Sequence, residues 1–121
     1  MPREELAYLR DILIAAQQAG AHAYGLTFAE FAQRRLQRSA VQWELTVIGE
    51  AAAHVSLDTK VAHPEIPWSQ MTGMRNRIVH RYFGVDLDIL WSVVREDLPV
   101  LVDRVGALAG GRRGEVSGQR N

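Results

Sequence analysis

The chain has 121 residues, 47% of them apolar, which is enough for one hydrophobic core and one domain and argues against a disordered protein. Its 14 basic and 14 acidic residues cancel, so it lacks the global field that holds many nucleic-acid binders on phosphate. With no cysteine there can be no disulfide or thiolate metal site. The apolar runs are too short to span a bilayer, and Met1-Pro2-Arg3-Glu4-Glu5 lacks the order of a signal peptide, so a cytoplasmic protein is expected.

Helical spacing dominates, and no run alternates apolar with polar residues. From Pro2, which suits a first helical position, Leu6, Leu9, Leu13 and Ala16 recur at three and four residues and predict a helix that stops near Gly20. Thr27 is placed to cap a long second helix, and Glu30 three residues on completes a capping-box pattern. That helix is expected to reach about Ser56, with Phe28, Phe31, Val41, Leu45, Ile48, Ala52 and Val55 on its core side. The segment Leu57 to Pro67 reads as a loop with room for one helical turn. Trp68 opens a third helix whose apolar stripe is Met71, Met74 and Ile78, and Gly84 ends it. Asp86 caps a fourth helix with a seam of Leu87, Leu90, Trp91, Val94, Leu98, Leu101, Val105 and Leu108, in which Pro99 predicts a kink and not a break. These elements make an all-α, up-and-down four-helix bundle over residues 1–108, followed by a Gly- and Arg-rich tail, 109–121, that reads as disordered.

The third helix carries the most informative stretch, Arg75-Asn76-Arg77-Ile78-Val79-His80-Arg81-Tyr82. At about 100° per residue, Tyr82 falls roughly 20° from Arg75, while Asn76 and His80 lie at about 100° and 140° as an i, i+4 pair on the adjacent stripe. Read as residues alone, the group is either a polar cluster that holds helices together or the equipment for cutting RNA. Cleavage needs a group that moves protons, which histidine supplies near neutral pH, and a cation for the phosphorane, which arginine supplies with a bidentate fork. All but one of the basic residues are arginine, the exception being Lys60. His22, His54 and His63 have no metal-ligand spacing and no metal or other cofactor is expected, while Trp43, Trp68 and Trp91 read as core or interface residues.

Four blocks together carry a resemblance: Ile48-Gly49-Glu50-Ala51-Ala52, Pro64-Glu65-Ile66-Pro67-Trp68, Gly73 to His80 with Tyr82, and Phe83-Gly84-Val85-Asp86. Over about residues 3 to 108 the chain resembles the HepT-like branch of the HEPN domain proteins, found beside MntA-type minimal nucleotidyltransferases. The resemblance implies a toxin endoribonuclease of a type VII toxin–antitoxin system, a homodimer joined through the motif-helix face, that cuts RNA, tRNA among the candidates, without a metal. It assigns catalysis to Arg75 and His80, with Asn76 in support, and makes Tyr82 the residue to which the nucleotidyltransferase antitoxin attaches AMP to silence the toxin. The alternative is a non-catalytic nucleotide- or partner-binding subunit. Arg81 departs from the small or acidic residue expected between His80 and Tyr82, which bears on partner recognition.

Overall fold

A computed structural model describes residues 2–79 and 86–110, and for 75–79 the backbone alone. Among the described residues seven α-helices follow one another: α1 (Arg3–Ala23), α2 (Phe28–Gln33), α3 (Arg35–His54), α4 (Leu57–Ala62), α5 (Trp68–Val79), α6 (Leu87–Ser92) and α7 (Leu98–Ala109). A π-helical turn, Val93–Asp97, joins α6 to α7. No strand occurs among the described residues, and the architecture is the expected all-α bundle. In it α3 packs against both α1 and α5, and α7 packs on the other side of α1.

The 3.6-residue period explains the core. Leu9, Ile12, Ala16 and Ala19 of α1 meet Val41, Leu45, Ile48 and Ala52 of α3, all within 1% of complete burial. Alanines at these positions let the two long helices approach closely. Phe31, fully buried, and Phe28 pack on Trp91 with ring centroids 5.2 and 5.9 Å away, which ties α2 to α6.

Several expectations need correction at the helix ends. Pro2 stands one residue outside α1 as its N-cap, with ψ 151°, and its carbonyl accepts from the Leu6 N–H. The first helix runs past Gly20 to Ala23, because the residue that takes up the left-handed turn is Gly25, at φ 79°. The long second helix is two helices. The Thr27–Glu30 capping box is present in both directions, but α2 stops at Gln33 and Arg34, at φ −101° and ψ 89°, breaks the ladder. Neither Gly nor Pro causes the break. The Arg38 guanidinium reaches back six residues to the Ala32 carbonyl, occupying an acceptor that a continuous helix would have used internally.

The fourth helix begins as expected, with the Asp86 carboxylate accepting from the Asp88 and Ile89 N–H groups. Upstream of Pro99 the helix widens: the Leu98 N–H donates to the Val93 carbonyl, five residues back. Proline offers no N–H and crowds the turn before it, and a π turn spreads that turn by one residue. The expected helix end at Gly84 and the tail from residue 111 lie outside the described residues.

The segment expected to be mostly loop contains α4, held from a distance. Glu5, at 6% exposure, accepts from the Ser56 N–H at 2.9 Å and from the Thr59 hydroxyl, so a carboxylate of α1 secures the start of α4 beside the Ser56 cap. The Thr59 bond above all, then the Ser56 donors, hold the Glu5 carboxyl below its ordinary value of 4.5, against burial, which pushes it up. In the folded state it therefore binds fewer protons than in the unfolded chain over that interval. Its stabilisation is complete above about pH 4.5 and is lost as pH falls through the lowered value. Glu5→Gln should cost about 1–3 kcal/mol in urea denaturation at neutral pH and should flatten the acid limb of the stability curve; identical acid limbs would contradict the assignment.

Candidate functional site

The sequence singles out Arg75, Asn76, His80 and Tyr82. Arg75 and Asn76 stand in the second half of α5, whereas His80 and Tyr82 lie outside the described residues. What can be built from the structure is the platform that presents them.

That platform starts at Trp68, as expected. Its indole is 8% exposed and donates Nε1–H to the His63 carbonyl at 2.9 Å, pinning the start of the α4–α5 connection to the first residue of α5. The Trp68 N–H donates to the Ile66 carbonyl and the Arg104 guanidinium to the Glu65 carbonyl, so the stretch before α5 is held by α5 itself and by α7. The Thr72 hydroxyl returns its proton to the Trp68 carbonyl at 2.9 Å, a bond that keeps it inside the helix.

Met71 (0% exposed) and Met74 (3%) are buried against the core, and they set the rotation of α5. Measured about the helix axis, their mean direction leaves the Asn76 register position roughly opposite the core, and Arg75 about 70° from the core direction, at the edge of the packed surface. Between α5 and α7 lies a cleft of about 150 Å³ lined by Gln70, Met71, Met74, Glu96, Asp97 and Arg104 among others. Its two carboxylates make it unfit for a phosphate.

Two of the other histidines, His54 and His63, make local contacts. His54 donates Nδ1–H to the Glu50 carbonyl at 2.9 Å, which leaves Nε2 as the acceptor in the neutral ring, and the ring stacks on Tyr8 with centroids 5.0 Å apart. His63 Nδ1 lies 3.4 Å from Glu65 Oε2. Among the described residues no three His, Cys, Asp or Glu side chains gather into a metal-binding group, and no helix is long and apolar enough to cross a membrane.

The three tryptophans divide. Trp68 is core, and Trp91 is partly buried under Phe31 with the Arg95 guanidinium 5.3 Å from its ring. Trp43, by contrast, is 65% exposed, which removes it from the core and leaves the interface reading. It lines a groove of about 320 Å³ on the α1–α3 face with Tyr8, Asp11, Val47, Glu50 and His54. Sequence reasoning missed two things here: the buried Glu5, whose partners are more than 50 residues away, and Lys60, whose signal was its singularity.

A family model described as Ribonuclease HepT-like matches residues 4–108. A protein of Thermococcus cleftensis bearing the name "Probable ribonuclease HepT" is 40% identical over 101 residues, 84% of this chain and 92% of that protein. A protein of Methanocaldococcus jannaschii whose name classes it as an RNase is 36% identical over 103 residues, covering 85% and 94% of the two chains. Another, from Caldanaerobacter subterraneus subsp. tengcongensis and also named as an RNase, is 30% identical over 98 residues, 81% of this chain and 88% of its own length. No solved structure matches.

Trp68→Ala should cost about 3–5 kcal/mol in urea denaturation through lost packing, whereas Trp68→Phe, which keeps most of the packing and forfeits the bond to His63, should cost about 1 kcal/mol. No cost for Trp68→Phe would show that packing alone anchors α5, and equal costs for the two changes would show that the bond to His63 carries the anchoring.

Proposed function

Since this chain belongs to the HepT-like ribonuclease family, we propose that it is a metal-independent endoribonuclease, the toxin of a type VII toxin–antitoxin pair, in which Arg75 and His80 carry out the reaction. The observation that carries the reading is the family match across residues 4–108, which takes in the whole Arg75 to Tyr82 stretch. The domain that acts is residues 1–108, in the cytoplasm where its RNA is.

In this mechanism the His80 imidazole takes the proton of a ribose 2′-hydroxyl as that oxygen attacks the adjacent phosphorus. Arg75 holds two non-bridging oxygens and stabilises the charge that builds on the phosphorane, the role a metal ion plays elsewhere. The 5′-oxygen leaves with a proton delivered by an imidazolium. Because the lone pair and the proton are needed at different ends of the phosphodiester, a second His80 from a partner copy suits the acid role. The wide angle between Arg75 and His80 in sequence register favours the same arrangement, a homodimer with the two α5 helices lining one cleft. Asn76, an i, i+4 neighbour of His80, supports the imidazole.

Tyr82 falls on Arg75's stripe, so AMP attached there by a nucleotidyltransferase antitoxin sets a phosphate beside the guanidinium that substrate phosphate needs. Inhibition is then charge occupancy of the catalytic arginine.

Purified wild type is expected to cut RNA in EDTA, and His80→Ala and Arg75→Ala should each lose about a hundredfold or more in rate while staying helical by circular dichroism. Equal cleavage by wild type and His80→Ala would mean a contaminating nuclease and would end the catalytic proposal. Co-expression with the candidate transferase should add whole AMP units to wild type and none to Tyr82→Phe, read by intact mass.

A further inference from the structure

A groove of about 400 Å³ runs between α4 and α5, lined by Lys60, Trp68, Ser69, Thr72 and Gly73. Its chemistry differs from that of the two clefts described above. Both the α1–α3 groove and the α5–α7 cleft contain two carboxylates, whereas this one contains none. It holds the only lysine of the chain, partly buried, with no carboxylate among the described residues at ion-pair distance from it. Ser69 adds an exposed hydroxyl, Trp68 forms a buried wall, and at Gly73 the space where a side chain would stand has nothing within 4 Å.

The groove shares a face of α5 with the Asn76 register position. On α5 the register positions of Ser69, Gly73 and Asn76 fall within about 60° of one another, on the side opposite Met71 and Met74, and Asn76 is about 10 Å along the axis from Ser69. In sequence the same spacing carries on to His80. A strand laid along this face would thus pass from the catalytic stripe into a pocket with one unpaired cation, a hydroxyl donor and no opposing charge. Lysine, a point charge on a flexible stem, meets a phosphate oxygen without demanding one orientation.

We propose that the α4–α5 groove is a second substrate subsite, in which Lys60 and Ser69 hold a phosphodiester of the RNA strand flanking the one that is cut. The subsite rests on the ribonuclease reading and extends it. It binds by backbone charge and reads no base, so it fixes the strand's path and register over His80, not its sequence.

The test measures binding of a mixed-sequence single-stranded oligoribonucleotide to His80→Ala protein, with and without Lys60→Ala, across a series of salt concentrations. Steady-state cleavage by the active proteins runs in parallel. Lys60→Ala should weaken binding about three- to tenfold and lower the slope of log affinity against log salt by about 0.7, the value of one single-strand phosphate contact. It should raise KM and leave kcat within about twofold. Lys60→Arg should restore the slope, and Ser69→Asp, which places a negative charge in the groove, should weaken binding further. Thermal melts of the variants separate these effects from unfolding. An unchanged salt slope and KM in Lys60→Ala, in a protein that cuts RNA, overturns the subsite and leaves the ribonuclease reading standing. If the wild type neither binds nor cuts RNA, both fall.

Discussion

A helix can turn about its own axis at little cost until something apolar pins it, and in α5 the pins are Met71 and Met74. Both are buried between α3 and α7, and rotating α5 by even half a residue step would lift a thioether out of the core and push a polar neighbour in. Methionine is an apt choice for the seam: an unbranched, polarizable side chain fills an irregular gap without forcing the helix to one exact height. The rotation so fixed decides what the rest of the helix presents. Ser69, Gly73 and Asn76 take the outward register and Arg75 takes the edge, so the face available to a ligand follows from two buried residues that never touch it.

The axial position of α5 is fixed separately, and by polar bonds. Trp68 holds the His63 carbonyl, Arg104 of α7 holds the Glu65 carbonyl, and Glu5 of α1 holds the start of α4 upstream. Each of these bonds joins groups that water would otherwise compete for, and burial of Glu5 and Trp68 keeps water from two of them. Glu5 satisfies a backbone N–H and a hydroxyl with both oxygens of one carboxylate, a division of labour that keeps a buried charge affordable. Without it, α4 is a six-residue helix with Leu57 and Val61 exposed, too short to persist on its own propensity.

How far the sequence could be read depended on whether the controlling interaction was local. Thr27 with Glu30, Asp86, and Trp68 at the head of α5 act within three to five residues, and each was legible as a spacing. The break at Arg34 was not, because no breaker residue stands there and its partner, the Arg38 guanidinium, reaches across the break from the next helix. The extension of α1 past Gly20 was misread for a related reason: the sequence does not say which glycine takes the left-handed turn, and that conformation belongs to Gly25. Pro99 announced a disturbance but not its form, since a kink and a π turn both relieve the same crowding. Glu5 was invisible, because nothing in a first-turn glutamate tells that Ser56 and Thr59 wait beside it. Of the candidate site, the helix carrying Arg75 and Asn76 and its inward stripe were legible as far as Met74; the open groove beside Lys60 was not, being a product of α4's placement against α5.

The neutral net charge becomes informative once the clefts are compared. A uniformly basic surface would attract RNA everywhere and hold it in many registers. Here the α1–α3 and α5–α7 clefts are each lined by two carboxylates, whereas the lining of the α4–α5 groove has a lysine and no carboxylate. A carboxylate-lined cleft disfavours a phosphate chain and a lysine favours it, so on a chain with no net charge the contrast between grooves, and not the sum, steers a strand. In the proposed mechanism that contrast matters more than affinity. A cut requires the 2′-hydroxyl to meet His80 and the phosphate to meet Arg75 together, and a strand that slides freely satisfies one at the expense of the other. An anchor between α4 and α5, with Ser69 about two helical turns from Asn76, converts the rotation fixed by Met71 and Met74 into a fixed register for the substrate.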